Sequence, residues 1–496
     1  MNFYNYIFQR TVNDNTDSKR ILGVNIMKNE ALDLLAELKA LVGSADQVDV
    51  TAQGIADHSY DWWPVAAKWR QNGKMPCKPD AVVYPGNVDE VSRVLAWAND
   101  NSVPVTPWGL GSSVTGQPLT EYGGVTLDLS RMDKIIKVDV ENLIVRAEAG
   151  VMGGDLEDHL QTLGYTLNHS PQSLYRSTVG GWFATRATGQ LSSRYGGIED
   201  LAYSFTAVLA DGTILETVDL PRMAVGPDLR HLMIGCEGAM GVITEVALKI
   251  FPLPETRLNE TITFPTVEVG KDAMRAIMAA NLRPALLRFY DVAEARHAMQ
   301  DKDFASPVMF VGTEGMDAVA KAEMEAVRNV CAKLGGKPIG PKGTEGWITR
   351  RYDFSTIEGF VMRPEGVAET IEISNNWERI MDTYDLMTER LAPYADEVLG
   401  HFSHVYSTGV SLYVILLGEA ENGEESEARI KKMWEVAMEA SLETGASISH
   451  HHGSGLARNP YVGRALGSGL DVMQRIKDAL DPNNTLNPGK LGLRRP

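Results

Sequence analysis

The chain has 496 residues, of which 44% are hydrophobic and 23% are charged, values that indicate a globular protein of two or three domains. It contains no run of about 18 apolar residues, which excludes a membrane-spanning helix. The 47 basic and 65 acidic residues give a net charge of −18, which disfavours binding to nucleic acid or to an anionic membrane surface.

The N-terminal segment, residues 1–59, is predicted to be an extension that carries one helix. Leucines at helical spacing predict that helix over 28–42, and Met27 just before it is an alternative start to Met1. Residues 1–20 lack the apolar region of a signal peptide. The three cysteines lie far apart, which indicates neither a disulfide framework nor a thiolate zinc site. These features predict a cytoplasmic protein.

Residues 60–255 alternate short strands and helices. Strands are predicted at 81–86, 103–109 and 123–130, with a helix at 88–101 between the first two. Alternation then predicts two strands within 135–150, with Ile136, Val138 and Val140 on one face. A hairpin at 205–216 turns at Asp211-Gly212, and a strand over 241–251 ends this part of the chain.

Prolines at 252 and 254 mark a boundary. Residues 260–291 beyond them are typical of strand, helix and strand, which predicts an antiparallel α+β domain over 256–445. Residues 446–496 form a C-terminal segment with a histidine cluster and a helix near 464–480. The predicted fold class is therefore α+β.

A turn rich in Gly, Ser and Thr covers residues 107–116, PWGLGSSVTG. Such a turn can direct consecutive backbone N–H groups at a pyrophosphate, although an ordinary surface loop is an equally good interpretation. Two further blocks, 172–189 and 237–243, combine glycines with Ser and Thr. Taken separately, each block also fits a tight turn before a helix or a strand.

The C-terminal third contains a second cluster, with His401, His404, Tyr406 and Tyr413 followed by the run 449–453, SHHHG. Imidazole titrates near neutrality, so it can accept a hydroxyl proton while a hydride leaves the substrate. Three consecutive histidines cannot share one face of a strand or helix. A solvated loop with one hydrogen-bonded histidine is the alternative.

The STVGGW, EGAMG and SHHHG blocks resemble the FAD-binding flavoenzymes of the vanillyl-alcohol oxidase/p-cresol methylhydroxylase type. The resemblance covers about 60–490 and is greatest to the branch of alkyldihydroxyacetonephosphate synthase and of glycolate and D-lactate oxidising enzymes. It implies a two-subdomain FAD-binding domain over 60–255, a cap domain for the substrate over 256–445, and noncovalent FAD. The residues that it implies for cofactor binding are Pro107, Trp108, Gly109, Leu110, Gly111, Ser112, Ser113, Gln172, Ser173, Ser177, Thr178, Gly180, Gly181, Thr185, Arg186, Ala187, Thr188, Glu237, Gly238, Gly241, Val242 and Ile243.

The same resemblance implies the catalytic residues. They are Tyr413, His450, His451, His452, His169 and Arg288. The family also has a substrate-binding arginine between about 345 and 365, for which Arg350, Arg351 and Arg363 are alternatives.

Metal binding is the rival interpretation of the histidines. Glycolate and D-lactate type relatives use two histidines and a glutamate, and the corresponding positions here are His404, Tyr413 and His451. Because two of the usual ligand types are replaced, no metal is predicted. His404, His450 and His451 form the alternative nitrogen-rich site.

The predicted function is transfer of a hydride from a small hydroxylated substrate, a 2-hydroxy carboxylate in the first place, to FAD. The alternative is a synthase-like transferase that uses FAD without net redox change. A third class is a flavoprotein subunit that passes electrons to an iron–sulfur partner. The predicted partners are a small-molecule substrate, an unidentified electron acceptor and a second copy of the chain in a homodimer.

Overall fold

The computed structural model describes residues 30–496, so the predictions on Met1, Met27 and residues 1–20 fall outside the described part. The predicted N-terminal helix is observed as α1 (Glu30–Leu41). Leu38 on this helix is fully buried in a cluster with residues of the first sheet. The helix therefore packs on that sheet, as its leucine spacing predicts.

The first sheet has four strands in the order β1-β2-β4-β3, and only β1 is antiparallel to its neighbour. Its strands are β1 (Val48–Asp49), β2 (Ala81–Val83), β3 (Val105–Trp108) and β4 (Val125–Asp128). The accompanying helices are α2 (Ala52–Asp57), α3 (Pro64–Gln71) and α4 (Val88–Asp100). The predicted strand–helix–strand pattern is confirmed, since each predicted segment contains the expected element.

The second sheet is antiparallel, with five strands in the order β5-β6-β10-β8-β9, and a two-stranded ribbon β7-β11 lies beside it. The strands are β5 (Ile135–Asp139), β6 (Ile144–Glu148), β7 (Tyr165–Thr166), β8 (Ala202–Val208), β9 (Ile214–Glu216), β10 (Val242–Lys249) and β11 (Phe251–Pro252). The helices are α5 (Gly153–Thr162), α6 (Val179–Thr185), α7 (Ser192–Tyr195), α8 (Ile198–Leu201) and α9 (Arg230–Met233). The predicted hairpin is confirmed, because Val208 of β8 pairs with Ile214 of β9 across the Asp211-Gly212 turn.

The prediction that Ile136, Val138 and Val140 share one face of β5 is wrong in part. Ile136 is 45% exposed and Val140 is 52% exposed, whereas Ile135 and Val138 pack on the core. The pairing register of β5 with β6 shifts between Ile135 and Lys137. A bulge of this kind adds one residue to the strand and reverses the alternation beyond it.

The third sheet is antiparallel, with seven strands in the order β15-β12-β14-β13-β17-β18-β16. Its strands are β12 (Thr256–Thr263), β13 (Leu286–Tyr290), β14 (Val308–Gly315), β15 (Lys337–Gly340), β16 (Gly366–Asn376), β17 (Glu397–Val405) and β18 (Gly409–Glu419). Its helices are α10 (Val267–Ala279), α11 (Val292–Met299), α12 (Asp317–Lys333), α13 (Lys342–Arg350), α14 (Ser355–Val361), α15 (Ile380–Leu391) and α16 (Gly423–Thr444). This sheet confirms the antiparallel α+β architecture predicted beyond the Pro252 boundary.

The C-terminal segment returns from the third sheet to the first. After α17 (Val462–Leu466) and α18 (Ser468–Leu480), the backbone of Leu486 bridges to Val105 of β3. The predicted domain limits at 59/60, 255/256 and 445/446 stay predictions. None of the helices in residues 30–496 is long and apolar enough to cross a membrane.

Candidate active site

A cavity of about 1030 Å³ is lined by loops of the first two sheets and by residues of the third sheet. Most of the predicted site residues line this cavity, although they come from distant parts of the chain. From the predicted cofactor set these are Pro107, Trp108, Gly109, Leu110, Gly111, Ser112, Ser113, Gln172, Ser173, Ser177, Thr178, Gly180, Gly181, Thr185, Ala187, Thr188, Glu237, Gly238, Gly241 and Ile243. From the predicted catalytic set they are Tyr413, Arg288, His451 and His452.

Four predicted residues do not line the cavity. Arg186 is an exposed C-cap that pairs with Glu199, and Val242 is fully buried within β10. His169 packs edge-on against the Trp182 indole with ring centroids 4.6 Å apart. His450 lies behind His451 and bonds Tyr406.

The loop after β3 has the form of an anion cradle. Within the described residues, the N–H groups of Leu110 to Val114 have no backbone acceptor. Gly111 has φ +62°, and a Cβ there would lie 2.4 Å from the Trp108 ring. Gly116 beyond the loop donates its N–H to the buried Asp61 carboxylate at 2.9 Å. The loop is thus held at its far end and leaves a row of free donors at the cavity.

The start of α6 approaches the second sheet closely. Thr178 caps the helix by accepting the Gly181 N–H, and a Cβ on Gly180 would lie 2.5 Å from the Ala149 Cβ. Gly180 therefore serves close packing between helix and strand, and side-chain space is scarce at this wall of the cavity.

The Glu237 carboxylate forms hydrogen bonds with the backbone of the C-terminal segment. It accepts the N–H groups of Ser454 at 2.5 Å and Gly455 at 3.0 Å, and it is buried. Gly238 beside it has φ +76°, and a Cβ there would lie 2.3 Å from Pro107. The 237–238 turn thus joins the loop after β3 to the C-terminal segment.

Strands β13, β17 and β18 form the wall of the cavity that carries the predicted catalytic residues Arg288 and Tyr413. The Arg288 guanidinium donates to His401 Nε2 at 2.8 Å and to the Tyr290 hydroxyl at 2.8 Å. The His401 ring stacks on Tyr413, with centroids 4.8 Å apart and planes 13° apart. Since arginine can only donate, His401 carries its own proton on Nδ1, which faces the Glu294 carboxylate at 2.8 Å.

Burial sets the protonation states at this wall. It raises the pKa of Tyr413, so this side chain stays a neutral phenol. It lowers the pKa of His451 to about 3 and that of His452 to about 4. Both imidazoles are therefore neutral near pH 7, with a free lone pair, but burial also makes each ring a weaker base than a solvated histidine.

Only some of the predicted arginines reach the cavity. Arg350 and Arg351 line it; Arg350 donates to the Ala298 carbonyl at 3.0 Å. Arg363 lies elsewhere and pairs with Glu419 at 2.9 Å.

Comparison with known proteins shows the family to which the chain belongs. Residues 79–218 match the family described as FAD binding domain, and residues 253–491 match the C-terminal domain of FAD linked oxidases. An uncharacterized FAD-linked oxidoreductase, YgcU, of Escherichia coli (strain K12) is 32% identical over 477 residues, which cover 92% of this chain and 98% of YgcU. The chain is a FAD-linked oxidoreductase.

Two named relatives of this flavoprotein differ in activity. An alkyldihydroxyacetonephosphate synthase of Trypanosoma brucei brucei is 29% identical over 90% of this chain and 79% of its own length. The glycolate oxidase subunit GlcD of Bacillus subtilis (strain 168) is 28% identical over 91% of this chain and 95% of its own length. The structure of p-cresol methylhydroxylase with substrate bound has a TM-score of 0.79 at 18% identity, covering 95% of this chain and 98% of that one. The predicted fold type is confirmed.

The cavity of the flavoprotein fits FAD by its donors and its shape. The free N–H row from Leu110 to Val114 suits a diphosphate. Gly111 and Gly238 keep the backbone close to the cavity at positions where a side chain would clash. These loops would hold the cofactor, with Tyr413 and Arg288 on the opposite wall.

His404, His450 and His451 are the described side chains able to hold a metal ion. One ring nitrogen from each lies within 4.8 Å of the others, and burial lowers the pKa of all three rings. His404 Nδ1 bonds to the Ser192 hydroxyl at 2.8 Å. The nearest carboxylate, that of Glu372, lies 3.9 Å from His451 Nδ1 and is bonded to backbone N–H groups of the run. Three neutral imidazoles would suit a divalent ion that prefers nitrogen ligands.

The sequence patterns missed two acidic residues of the site. Glu294 holds His401 from α11, and Glu372 on β16 binds the histidine run. Glu372 lies within the apolar strand GVAETIEIS, where a charged residue is unusual. A charged residue in such a strand is the signal by which Glu372 could have been recognised. The sequence does not show its hydrogen-bond partners, which lie 77 to 86 residues further along the chain.

Proposed function

We propose that the flavoprotein oxidises a 2-hydroxy carboxylate, and the Arg288 guanidinium carries this proposal. Arg288 is 9% exposed and lines the cavity. Its protein partners are a neutral ring nitrogen and a hydroxyl, and it forms no ion pair with a carboxylate among the described residues. The Glu294 carboxyl group reaches Arg288 only through His401, and burial raises its pKa to about 8. Arg288 therefore has no directly bonded anionic partner in the described part of the chain, which is costly for a buried cation, so an anionic substrate group would complete the site.

The remaining roles follow from position and protonation. Arg288 binds the carboxylate, and Tyr413 donates a hydrogen bond to the substrate oxygen. A neutral imidazole, His451 or His452, accepts the hydroxyl proton as the hydride leaves. Burial weakens both rings as bases, and the Glu372 carboxylate, 3.4 Å from His452 Nδ1, would stabilise the resulting imidazolium. Bound FAD supplies the acceptor for the hydride.

Replacing Arg288 tests the proposal. Arg288→Met keeps an unbranched, flexible side chain but removes the guanidinium and its charge, so the dissociation constant for a 2-hydroxy acid should rise about 100-fold, corresponding to a lost charged hydrogen bond. Flavin content should be unchanged. Arg328→Met is the matched control, because Arg328 pairs with Glu260 on β12 away from the cavity. Unchanged acid affinity in Arg288→Met would contradict the carboxylate assignment.

One observation favours the alternative transferase. Beyond Tyr413, the cavity wall continues as Leu399, Ile415 and Leu417, and Ile357 of α14 packs on this apolar cluster. Such a wall suits a substrate with a hydrocarbon chain, as an acyl-dihydroxyacetone phosphate has. A synthase-like reaction would exchange the acyl group for a fatty alcohol without net reduction of the flavin, which product analysis under anaerobic conditions would detect.

We infer further that the protein is a cytoplasmic homodimer and passes its electrons to a separate acceptor. The relatives suggest such an acceptor, because glycolate oxidase subunit GlcD is by name a subunit. Light scattering on the holoenzyme checks the dimer, for which the native mass should be twice that of the chain. A monomeric mass would contradict it.

A further inference from the structure

The Glu372 carboxylate lies at the centre of the histidine run. Glu372 is fully buried on β16, directly opposite Tyr413 in the register of β16 with β18. It accepts hydrogen bonds from the N–H groups of His450, His451 (3.2 Å) and His452 (2.8 Å). The Ser449 hydroxyl (3.1 Å) and the Arg458 guanidinium (2.9 Å) complete five donors.

This pattern dictates the shape of the loop. In an extended chain, successive N–H groups point to opposite sides. Three consecutive N–H groups can meet one carboxylate only if the backbone curls around it, as in an anion-binding nest. Two of the imidazoles also stay near the carboxylate, with His452 Nδ1 3.4 Å and His451 Nδ1 3.9 Å from its oxygens. The His452 ring lies 5.5 Å and the His451 ring 6.0 Å from the Tyr413 ring.

Pairing with Arg458 does not account for the arrangement. Arg458 is fully buried, and its ion pair uses only Oε1 of Glu372. Oε2 accepts from the N–H groups of His450 and His451 and from no other donor among the described residues. A simple counter-ion would not need this second oxygen to be directed at the histidines.

We propose that Glu372 is a positioning residue that sets the placement of His451 and His452 relative to Tyr413; the step it serves rests on the proposed oxidation. The carboxylate is joined to Tyr413 through the β16–β18 register and to the histidines through their backbone. It thus fixes the proton-accepting imidazole and the Tyr413 phenol relative to each other in one rigid arrangement. Such an arrangement keeps catalytic groups within the fraction of an ångström that proton transfer requires.

A second carboxylate, that of Glu237, holds the turn that follows the histidine run and joins it to the predicted cofactor loops. Glu237 accepts from Ser454 and Gly455, and the Gln117 side chain donates to the His452 carbonyl. Glu237→Gln should therefore weaken FAD retention, because it loosens the contact to the cofactor loops. Glu372→Gln should leave FAD retention unchanged, since its donors are residues 449–452 and Arg458, none of which belongs to the predicted cofactor loops.

Glu372→Gln in the holoenzyme tests the proposal. The amide keeps the size of the side chain but directs an NH₂ group at N–H donors. We expect unchanged FAD content, a dissociation constant for the 2-hydroxy acid within about threefold, and a limiting rate of flavin reduction that falls on the order of tenfold to 100-fold. Hydrogen exchange, read by mass spectrometry, should accelerate at the amides of 450–452. Glu372→Asp keeps both oxygens and should recover part of the rate.

Glu260→Gln is the matched control. Glu260 is a buried carboxylate on β12 that accepts the Gly340 N–H at 2.9 Å and pairs with Arg328. This variant should leave the reduction rate and the exchange at 450–452 unchanged. It measures the general cost of an amide at a buried carboxylate in the same sheet.

Two results would overturn the proposal. The first is Glu372→Gln with wild-type exchange at 450–452 and a wild-type rate. The second result combines two variants: Glu372→Gln loses FAD and does not fold, while Glu372→Asp has wild-type exchange and a wild-type rate. That combination would leave Glu372 with a structural role only. Hydrogen exchange needs no substrate, so failure of the wild-type flavin to be reduced by any 2-hydroxy acid would contradict the proposed function separately.

Discussion

At the scale of single residues, Tyr413 is the group whose role is most open to direct testing. Its hydroxyl stays protonated because burial raises its pKa, so in the proposed reaction it acts as a hydrogen-bond donor and not as the base. Tyr413→Phe should keep bound flavin and slow flavin reduction about 100-fold. Rapid-mixing absorbance measures the rate.

The control for Tyr413→Phe is Tyr384→Phe. The Tyr384 hydroxyl bonds Asp291 at 3.0 Å, and the residue lies outside the cavity lining. We expect its reduction rate to stay near that of the wild type. If both variants retain the full rate, Tyr413 has no part in the chemistry.

His58 gives a pH-dependent contribution to stability. Burial opposes its protonation, but hydrogen bonds to Asp128 and to the Gly54 carbonyl outweigh burial and raise the pKa of His58. A raised pKa in the folded state stabilises the protein below the ordinary histidine pKa, and this contribution is lost as the pH rises through the folded value. His58→Asn should therefore lower the urea midpoint more at pH 5.5 than at pH 8.5. An equal loss at both values would contradict the ion pair.

At the scale of elements, the glycine loop after β3 should decide cofactor retention. Gly111→Val meets both the positive φ and the Trp108 ring, so the variant should purify without FAD. Gly73→Val is the matched control, because Gly73 has φ +68° and nothing within 4 Å of its Cβ position. It should stay yellow. A yellow Gly111→Val with normal FAD content would show that the loop does not hold the diphosphate.

The elements themselves were largely predictable from the sequence, because periodicity and turn residues act locally. The helix at Val88–Asp100 and the hairpin at Asp211-Gly212 are examples. The set of residues that share a face of β5 was not predictable, since the bulge at Ile136 depends on pairing with β6. The direction of a side chain likewise depends on tertiary contacts that the local sequence does not show. His169, for example, packs on Trp182 and does not line the cavity.

The candidate site was predictable as a set of motifs but not as a set of contacts. Glycine spacing identified the loop at Gly109–Ser113, and the histidine run was visible at once. The partners of these motifs come from strands far along the chain, as with Glu372 and His450 or Glu237 and Ser454. Local patterns carry no information on such pairs, which only the tertiary fold brings together.

At the scale of the whole molecule, the C-terminal segment closes the cavity loops. The Asn487 amide donates to the Glu237 carbonyl at 2.7 Å and to the Gln117 carbonyl at 3.2 Å. Asn487→Leu leaves two buried carbonyls without a donor, which should cost about 2 kcal/mol of unfolding free energy and weaken FAD retention. Urea unfolding and flavin release measure the two effects.

Asn483→Leu serves as the control for this tail contact. Asn483 bonds Asn99 at the exposed surface, so its loss should change the unfolding free energy by less than about 0.5 kcal/mol. If Asn487→Leu is no more costly than this control, the tail does not hold the cofactor loops.

The central claim is that this FAD-linked oxidoreductase takes a hydride from a 2-hydroxy carboxylate bound at Arg288. Anaerobic mixing of the holoenzyme with 2-hydroxy acids of both configurations, followed by flavin absorbance, tests it most directly. The account predicts full bleaching of the flavin by at least one acid, with one equivalent of the 2-oxo acid formed per flavin. Flavin that stays oxidised with every acid, while an acyl-dihydroxyacetone phosphate and a fatty alcohol are converted, would contradict it in favour of the transferase.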